Sequence, residues 1–277
     1  MKLLTSLIAT AALVAADQPS GLFAKDNLIA WCIVPFDAKQ RGPTERAQML
    51  KRLGIKHFAY DWREKDIPTF DDELNALRKN RISLDAFWLS YPLAGTTNHW
   101  PVVRDFLKRR RVKTQLWLSV SVPKTFEALP HDEKLRQVSG VVATIAREAA
   151  EIGCSVGLYN HGGWFGEPEN QVAVIRAVGL ANVGIVYNLH HAHHQLDNLP
   201  ELLKMMKPHL LAINLNGMKV GGPKILPIGQ GDRDREVIKA IVESGYRGRI
   251  GILGHREELD AEEALKLNLD GLAALTR

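Results

Sequence analysis

Cysteine is scarce in this chain. Cys32 and Cys154 are its only two thiols in 277 residues, and each lies in or beside an apolar run. Two buried small thiols are expected from that placement, not a disulfide. An excess of charge of one sign is also missing. Thirty-six basic residues oppose 31 acidic ones, a net +5 spread along the chain, so solubility is expected and a nucleic-acid partner is not. The densest basic run, "KRRRVK" at 108–113, falls where a helix ends and complements its C-terminus. No low-complexity segment suggests disorder. No strand–GxGxxG–helix turn occurs, which argues against a doubly wound dinucleotide-binding sheet.

The apolar run from Leu3 to Val14 is too short to span a bilayer. With Lys2 before it and Val14-Ala15-Ala16 after it, the segment 1–16 reads as a secretory signal cleaved before Asp17. A periplasmic or secreted protein with no membrane span after leader removal is expected. Residues 17–27 form a linker, and 28–277 one domain.

Within 28–277, eight short apolar runs rich in β-branched and aromatic residues read as strands: "NLIAWCIV", "KHFAYDW", "ISLDAFWLS", "TQLWLSV", "SVGLYNH", "VGIVYNL", "LLAINLNG" and "RIGILGH". Segments with helical spacing separate them. Ala47, Leu50 and Leu53 share a face, with Gly54 as the stop. Thr69 with Asp72 predicts a capping box before Leu74 and Leu77. Pro200 sits in a first turn, and Pro208 closes that helix. Eight strand–helix units, repeated about every thirty residues, predict an α/β fold of one closed eight-fold β/α (TIM) barrel. Near-continuous apolar strands fit, because parallel strands are covered on both faces.

Chemistry in such a barrel collects at the C-terminal strand ends. Polar residues gather there: Asp61 and Arg63 after strand two, Tyr159, Asn160 and His161 after five, Asn188, His190 and His191 after six, Asn214 and Asn216 after seven, and His255 after eight. Alternation along a strand turns Tyr159 with His161 inward, and likewise Asn188 with His190, Asn214 with Asn216, and Leu253 with His255. Inward amides and imidazoles need partners, water or ligand, so a polar pocket is expected. Asp61 and Arg63 are either a salt-bridged strand end or a substrate-positioning pair. Trp88 and Trp164 are offered as stacking surfaces for a ligand, against plain packing. His57 is expected to be structural. The pairs Gly162-Gly163 and Gly221-Gly222 are explained by turn chemistry as well as by anion binding.

At these residues the chain resembles the xylose-isomerase-like barrels, the sugar phosphate isomerase/epimerase family. "GLYNHGG" is similar to that family's strand-five Glu-Asn-His ending, and "GIVYNLHH" to its strand-six Asp-x-x-His. "ILPIGQGDRDREVIKAIVESGYRGRIGI" resembles its strand-seven loop and last helix–strand unit. The resemblance implies one divalent cation on carboxylates and histidines, polarising a hydroxy-ketone while carboxylates move a proton. At those ligand positions the chain has Tyr159, Asn188 with His191, Asn214 and Leu253, so only His191 is retained. Neutral amides and one imidazole suit Mg²⁺ or Mn²⁺ poorly. No cofactor is therefore expected, and a displaced Zn or Mn site among the histidines is the alternative. His193 and His194 are read as solvated loop residues.

The expected function is an exported sugar isomerase, epimerase or related lyase working by proton transfer next to a carbonyl. His161, His191, Asp61 and His255 are the candidate catalytic groups. Arg63, Trp88, Tyr159, Asn160, Asn188, His190, Asn214 and Asn216 are the candidate substrate-binding groups. The asparagines at 188, 214 and 216 are expected to hold hydroxyls or an enediolate-like oxygen. The alternative is a carbohydrate-binding barrel without catalysis. The partner in both is a small carbohydrate, and a multi-zinc nuclease fits poorly.

Overall fold

In the computed structural model, residues 21–94 and 98–277 are described; the predicted leader 1–16 lies outside them. Eight parallel strands close in sequence order: β1 Leu28–Trp31, β2 His57–Tyr60, β3 Ser83–Pro92, β4 Gln115–Ser121, β5 Ser155–Tyr159, β6 Val183–Asn188, β7 Leu210–Leu215 and β8 Arg249–Leu253. β8 pairs with β1 in the register Leu28↔Ile250 to Trp31↔Leu253, which seals the barrel. The predicted TIM barrel is the fold.

A helix follows each strand: α1 Pro43–Leu53, α2 Phe70–Lys79, α3 Trp100–Arg110, α4 His131–Glu151, α5 Pro168–Val178, α6 Leu199–Met206, α7 Asp234–Glu243 and α8 Ala261–Leu275. Gly54 ends α1 in the left-handed region at φ 71°, where a side chain would be strained. The basic run closes α3 as expected, and Arg109 and Arg110 also pair with Asp71 of α2. The capping box at Thr69 does not form. A 3-10 turn, Glu64–Thr69, runs straight into α2, so the Thr69 hydroxyl donates back to the Asp66 carbonyl at 2.9 Å. The described end of the 17–27 stretch packs on the barrel. Leu22 joins the core, and Asn27 Nδ2 donates to Leu22 O and Gly248 O at 2.7 and 2.9 Å.

Two apolar layers hold the fold. The larger lies between strands and helices. The smaller fills the barrel, where Ala59, Ala86 and Ala212 make room for Trp31, Trp117 and Tyr159. Gly157 extends this complementarity, since a Cβ there would lie 2.5 Å from Val186 Cγ2. Cys32 and Cys154 are both buried and unpaired with each other.

Candidate functional site

A cavity of about 180 Å³ opens at the C-terminal strand ends, lined by Asp61, Arg63, Trp88, Tyr159, His161, Asn188, His190, His191 and His255. Trp31, Cys32 and Phe36, from the β1 end and its loop, complete it. Sequence reasoning missed these three because β1 ends without a polar residue. Two wider grooves, about 670 and 580 Å³, lie against α2 and α3 and at the opposite barrel end; neither reaches the strand-end residues.

The turns just beyond β5, β6 and β8 bring the imidazoles together. The His161 and His191 rings are 4.5 Å apart, His191 and His190 4.3 Å, and His190 and His255 5.4 Å. His255 stacks on Phe36 at 3.5 Å. An ionic clasp fixes the two loops carrying that pair. Asp37 binds Arg41 at 2.8 Å and the Ala261 amide at 3.1 Å, while Arg41 reaches Asp260 at 2.6 Å.

Burial holds all four imidazoles below their usual range. It takes His191 to about 3, helped by the charges of His190 and His161. His255 falls to about 4, with His190 and Arg63 adding to burial. His161 is lowered by burial and then Arg63, and His190 chiefly by burial. At neutral pH these rings are uncharged. Asp61 moves the other way. Burial raises its carboxyl to about 6, against a smaller opposing pull from Arg63. Oδ1 accepts from Val34 N at 3.2 Å, and Oδ2 is buried without a hydrogen-bond partner among the described residues.

The salt-bridged strand end does not form. Arg63 Nη1 donates to the backbone carbonyls of Asp61 and Trp62, at 2.6 and 2.9 Å, because the 3-10 turn folds its side chain back over the strand end. Three predicted substrate-binding residues do not line the cavity. Asn160 points between strands, accepting from Asn188 N at 2.6 Å and donating to Asn188 O at 3.1 Å. Asn214 is fully buried beside Gly251. Asn216 Nδ2 holds Gly217 O and Lys224 O at 2.9 and 2.8 Å, shaping the loop after β7.

The remaining features take their structural readings. Trp164 packs against Phe126 and His131, away from the cavity. His194 is exposed as expected, its Nε2 3.2 Å from Glu167, whereas His193 is not solvated: it is half-buried and its Nε2 is enclosed without a partner among the described residues. Neither lines the site. His57 meets Asp85 at 2.9 Å at the opposite end of the barrel. Gly162, Gly163 and Gly221 all take positive φ, as tight turns require.

The ligand set of a divalent ion is not reproduced. Leu253 cannot ligate, Asn214 lies outside the cavity, and the Asn188 and Tyr159 oxygens already accept hydrogen bonds. Among the described residues, no three His, Cys, Asp or Glu side chains are grouped to hold a metal ion.

Comparison with solved structures returns the same barrel. The IolI protein, solved with a zinc atom, superposes with a TM-score of 0.70 at 14% identity, covering 90% of this chain and 98% of that one. The 3-keto-D-glucoside 4-epimerase YcjR of E. coli gives 0.65 at 14%, covering 90% and 98%. The D-psicose 3-epimerase of Clostridium cellulolyticum H10, solved with D-tagatose, gives 0.64 at 16%, covering 90% and 96%. No curated protein sequence matches the chain. Residues 106–275 match the family model described as Xylose isomerase-like TIM barrel, and the chain belongs to that family.

Proposed function

We propose that this chain is a sugar isomerase or epimerase, or a related lyase, that moves a proton next to a carbonyl after export from the cytoplasm. The observation that carries the reading is Asp61 Oδ2. It is a buried carboxylate oxygen without a partner, in a cavity where burial lifts its pKa to about 6. A base poised near the working pH is the most effective one. Epimerases and a probable dehydratase among proteins of this fold support the substrate class. At about 180 Å³ the cavity falls below the roughly 300–1,000 Å³ of drug-sized sites. One sugar unit suits it better than an oligosaccharide. Trp88, half-buried in the cavity wall, offers a surface for sugar C–H groups.

In this reading Asp61 Oδ2 takes the proton from the carbon beside the carbonyl, and that C–H electron pair moves toward the carbonyl oxygen. The carboxylic acid then returns the proton to the neighbouring carbon. Neutral His161 or His191 carries the hydroxyl proton from one oxygen to the other, which balances the isomerisation without a cofactor. Arg63 stands at the rim, its guanidinium carbon 5.7 Å from the Phe36 centroid.

The test is incubation with keto- and aldo-sugars in D₂O, followed by NMR. Deuterium at the carbon beside the carbonyl, lost in Asp61→Asn, is expected. Saturable sugar binding without deuterium incorporation across a broad panel would replace this reading with the non-catalytic carbohydrate-binding barrel.

A further inference from the structure

The Tyr159 phenol oxygen accepts two hydrogen bonds, from Trp31 Nε1 at 3.0 Å and from Asn188 Nδ2. Both directions are fixed. An indole N–H can only donate. The Asn188 amide is set by the backbone N–H of His190, 3.2 Å from Oδ1, so its nitrogen is the atom turned to the tyrosine. Two donors fill both lone pairs of the phenol oxygen, and its own proton must point elsewhere. No acceptor among the described residues takes that proton. Trp31, Tyr159 and Asn188 all line the cavity, and its interior is the space left for the hydroxyl.

We infer that Trp31, Tyr159 and Asn188 form a carbonyl-oxygen site, in which Tyr159 Oη–H donates to the substrate's carbonyl oxygen and stabilises the negative charge gathering there. The inference rests on the proton-transfer reading above and deepens it. Tyr159 is only 2% exposed, so the donor acts away from bulk water, where a preorganised hydrogen bond counts most. Burial pushes the phenol well above its ordinary range, which keeps it protonated through the cycle. The two hydrogen bonds it accepts polarise the hydroxyl and strengthen it as a donor. As the C–H bond breaks, its electron pair forms the carbon–carbon double bond of the enediolate, the carbonyl π pair moves onto the oxygen, and the hydrogen bond from Tyr159 tightens. The phenol proton stays on Tyr159. Tyr159 is then a catalytic residue, and Trp31 and Asn188 are positioning residues that orient its proton.

The test compares two probes by calorimetry: a four-carbon sugar hydroxamate, a planar analogue of the enediolate, and the matching polyol, which has no carbonyl. Wild type should bind the hydroxamate at least about tenfold more tightly, as expected of a site matched to the developing charge. Tyr159→Phe should abolish that preference and change polyol binding less than about twofold, within the spread of a neutral hydrogen bond. Asn188→Asp keeps the shape and the His190 contact but puts an acceptor against the phenol. The phenol proton turns to that carboxylate, so the preference should also vanish although Tyr159 remains. A purely structural role for Tyr159 predicts no such split between probes.

Equal hydroxamate binding by wild type and Tyr159→Phe overturns the inference, as does a wild type with no preference for the hydroxamate. Should Tyr159→Phe fail to fold, Asn188→Asp decides by the same criterion. Wild type that incorporates no deuterium yet shows the Tyr159-dependent preference supports the oxygen site and sinks the catalytic reading. Where deuterium incorporation is found, Tyr159→Phe should slow it by roughly 10²–10³, the usual loss for one oxyanion donor, with KM little changed. Incorporation surviving Tyr159→Phe within about twofold overturns the site and leaves the proton-transfer reading standing.

Discussion

Replacing Asp61 with Asn should stabilise the protein at neutral pH while removing the proposed proton transfer. The folded-state carboxyl is raised from 3.8 to about 6 by burial. An acid whose folded pKa lies above its unfolded one binds more protons folded than unfolded between the two values. Its contribution is therefore most favourable below the unfolded pKa, and stability falls as pH rises toward 6. Above that range the ionised group costs on the order of 3 kcal/mol, at about 1.4 kcal/mol for each tenfold change in the proton equilibrium. At pH 5 the same linkage gives roughly half of that, and at pH 3 almost nothing. Asn keeps the oxygen that accepts from Val34 N and loses the charge. Asp61→Asn should thus gain about 3 kcal/mol at pH 7.5, or roughly 6–10 °C in melting temperature for a chain of this size. Melting curves of both proteins from pH 4 to 8 give the difference directly. A gain that is flat across that range, or a loss at pH 7.5, would show that Asp61 is not held ionised at a cost. The proposed base would then lose its physical ground.

Three further outcomes follow from other parts of the molecule. Arg46 and Glu73 form a buried ion pair between α1 and α2, 5% and 1% exposed. Arg46→Met should cost about 3–5 kcal/mol by stranding the carboxylate, and the double variant Arg46→Met/Glu73→Leu should recover most of it in denaturant titrations. Chelation by EDTA should leave sugar binding unchanged, because the family's ligand positions offer no carboxylate; loss of binding restored by one equivalent of Mn²⁺ or Zn²⁺ would refute that. Expressed in a bacterium with its own N-terminus, the exported protein should begin near Asp17 by N-terminal sequencing, and protein found only in the cytoplasm with Met1 intact would remove the leader.

The barrel was legible because parallel strands covered on both faces become unbroken apolar runs, as in "VGIVYNL" and "RIGILGH". Alternation along β5 and β6 accounts for Tyr159 and Asn188 at the cavity, whereas His161, His190 and His255 reach it from just past the strand ends. It carries direction but not depth. Asn214 faces inward as predicted, yet it lies below the cavity, in register with Gly251. It also fails where the backbone leaves the strand. Cys32 takes φ 55°, and the chain beyond it delivers Phe36 to the site by a path no period describes. Of the two readings of Arg63, the salt bridge to Asp61 is absent for a related reason, since its partners are backbone carbonyls and the sequence does not advertise those.

The substitutions at the family's ligand positions make more sense together than singly. Tyr159 and Asn188 stand where the resemblance places carboxylates, and in the fold they bond to each other. Burial presses the neighbouring imidazoles toward the neutral form, and the charge of Arg63 adds to it at His161 and His255, as that of Lys224 does weakly at His191. Such surroundings oppose a divalent cation and favour an oxygen on which negative charge develops. The neutral hydrogen-bond donor and the lost carboxylates thus point to one electrostatic design, in which the electrophile at the carbonyl is a proton held by the protein.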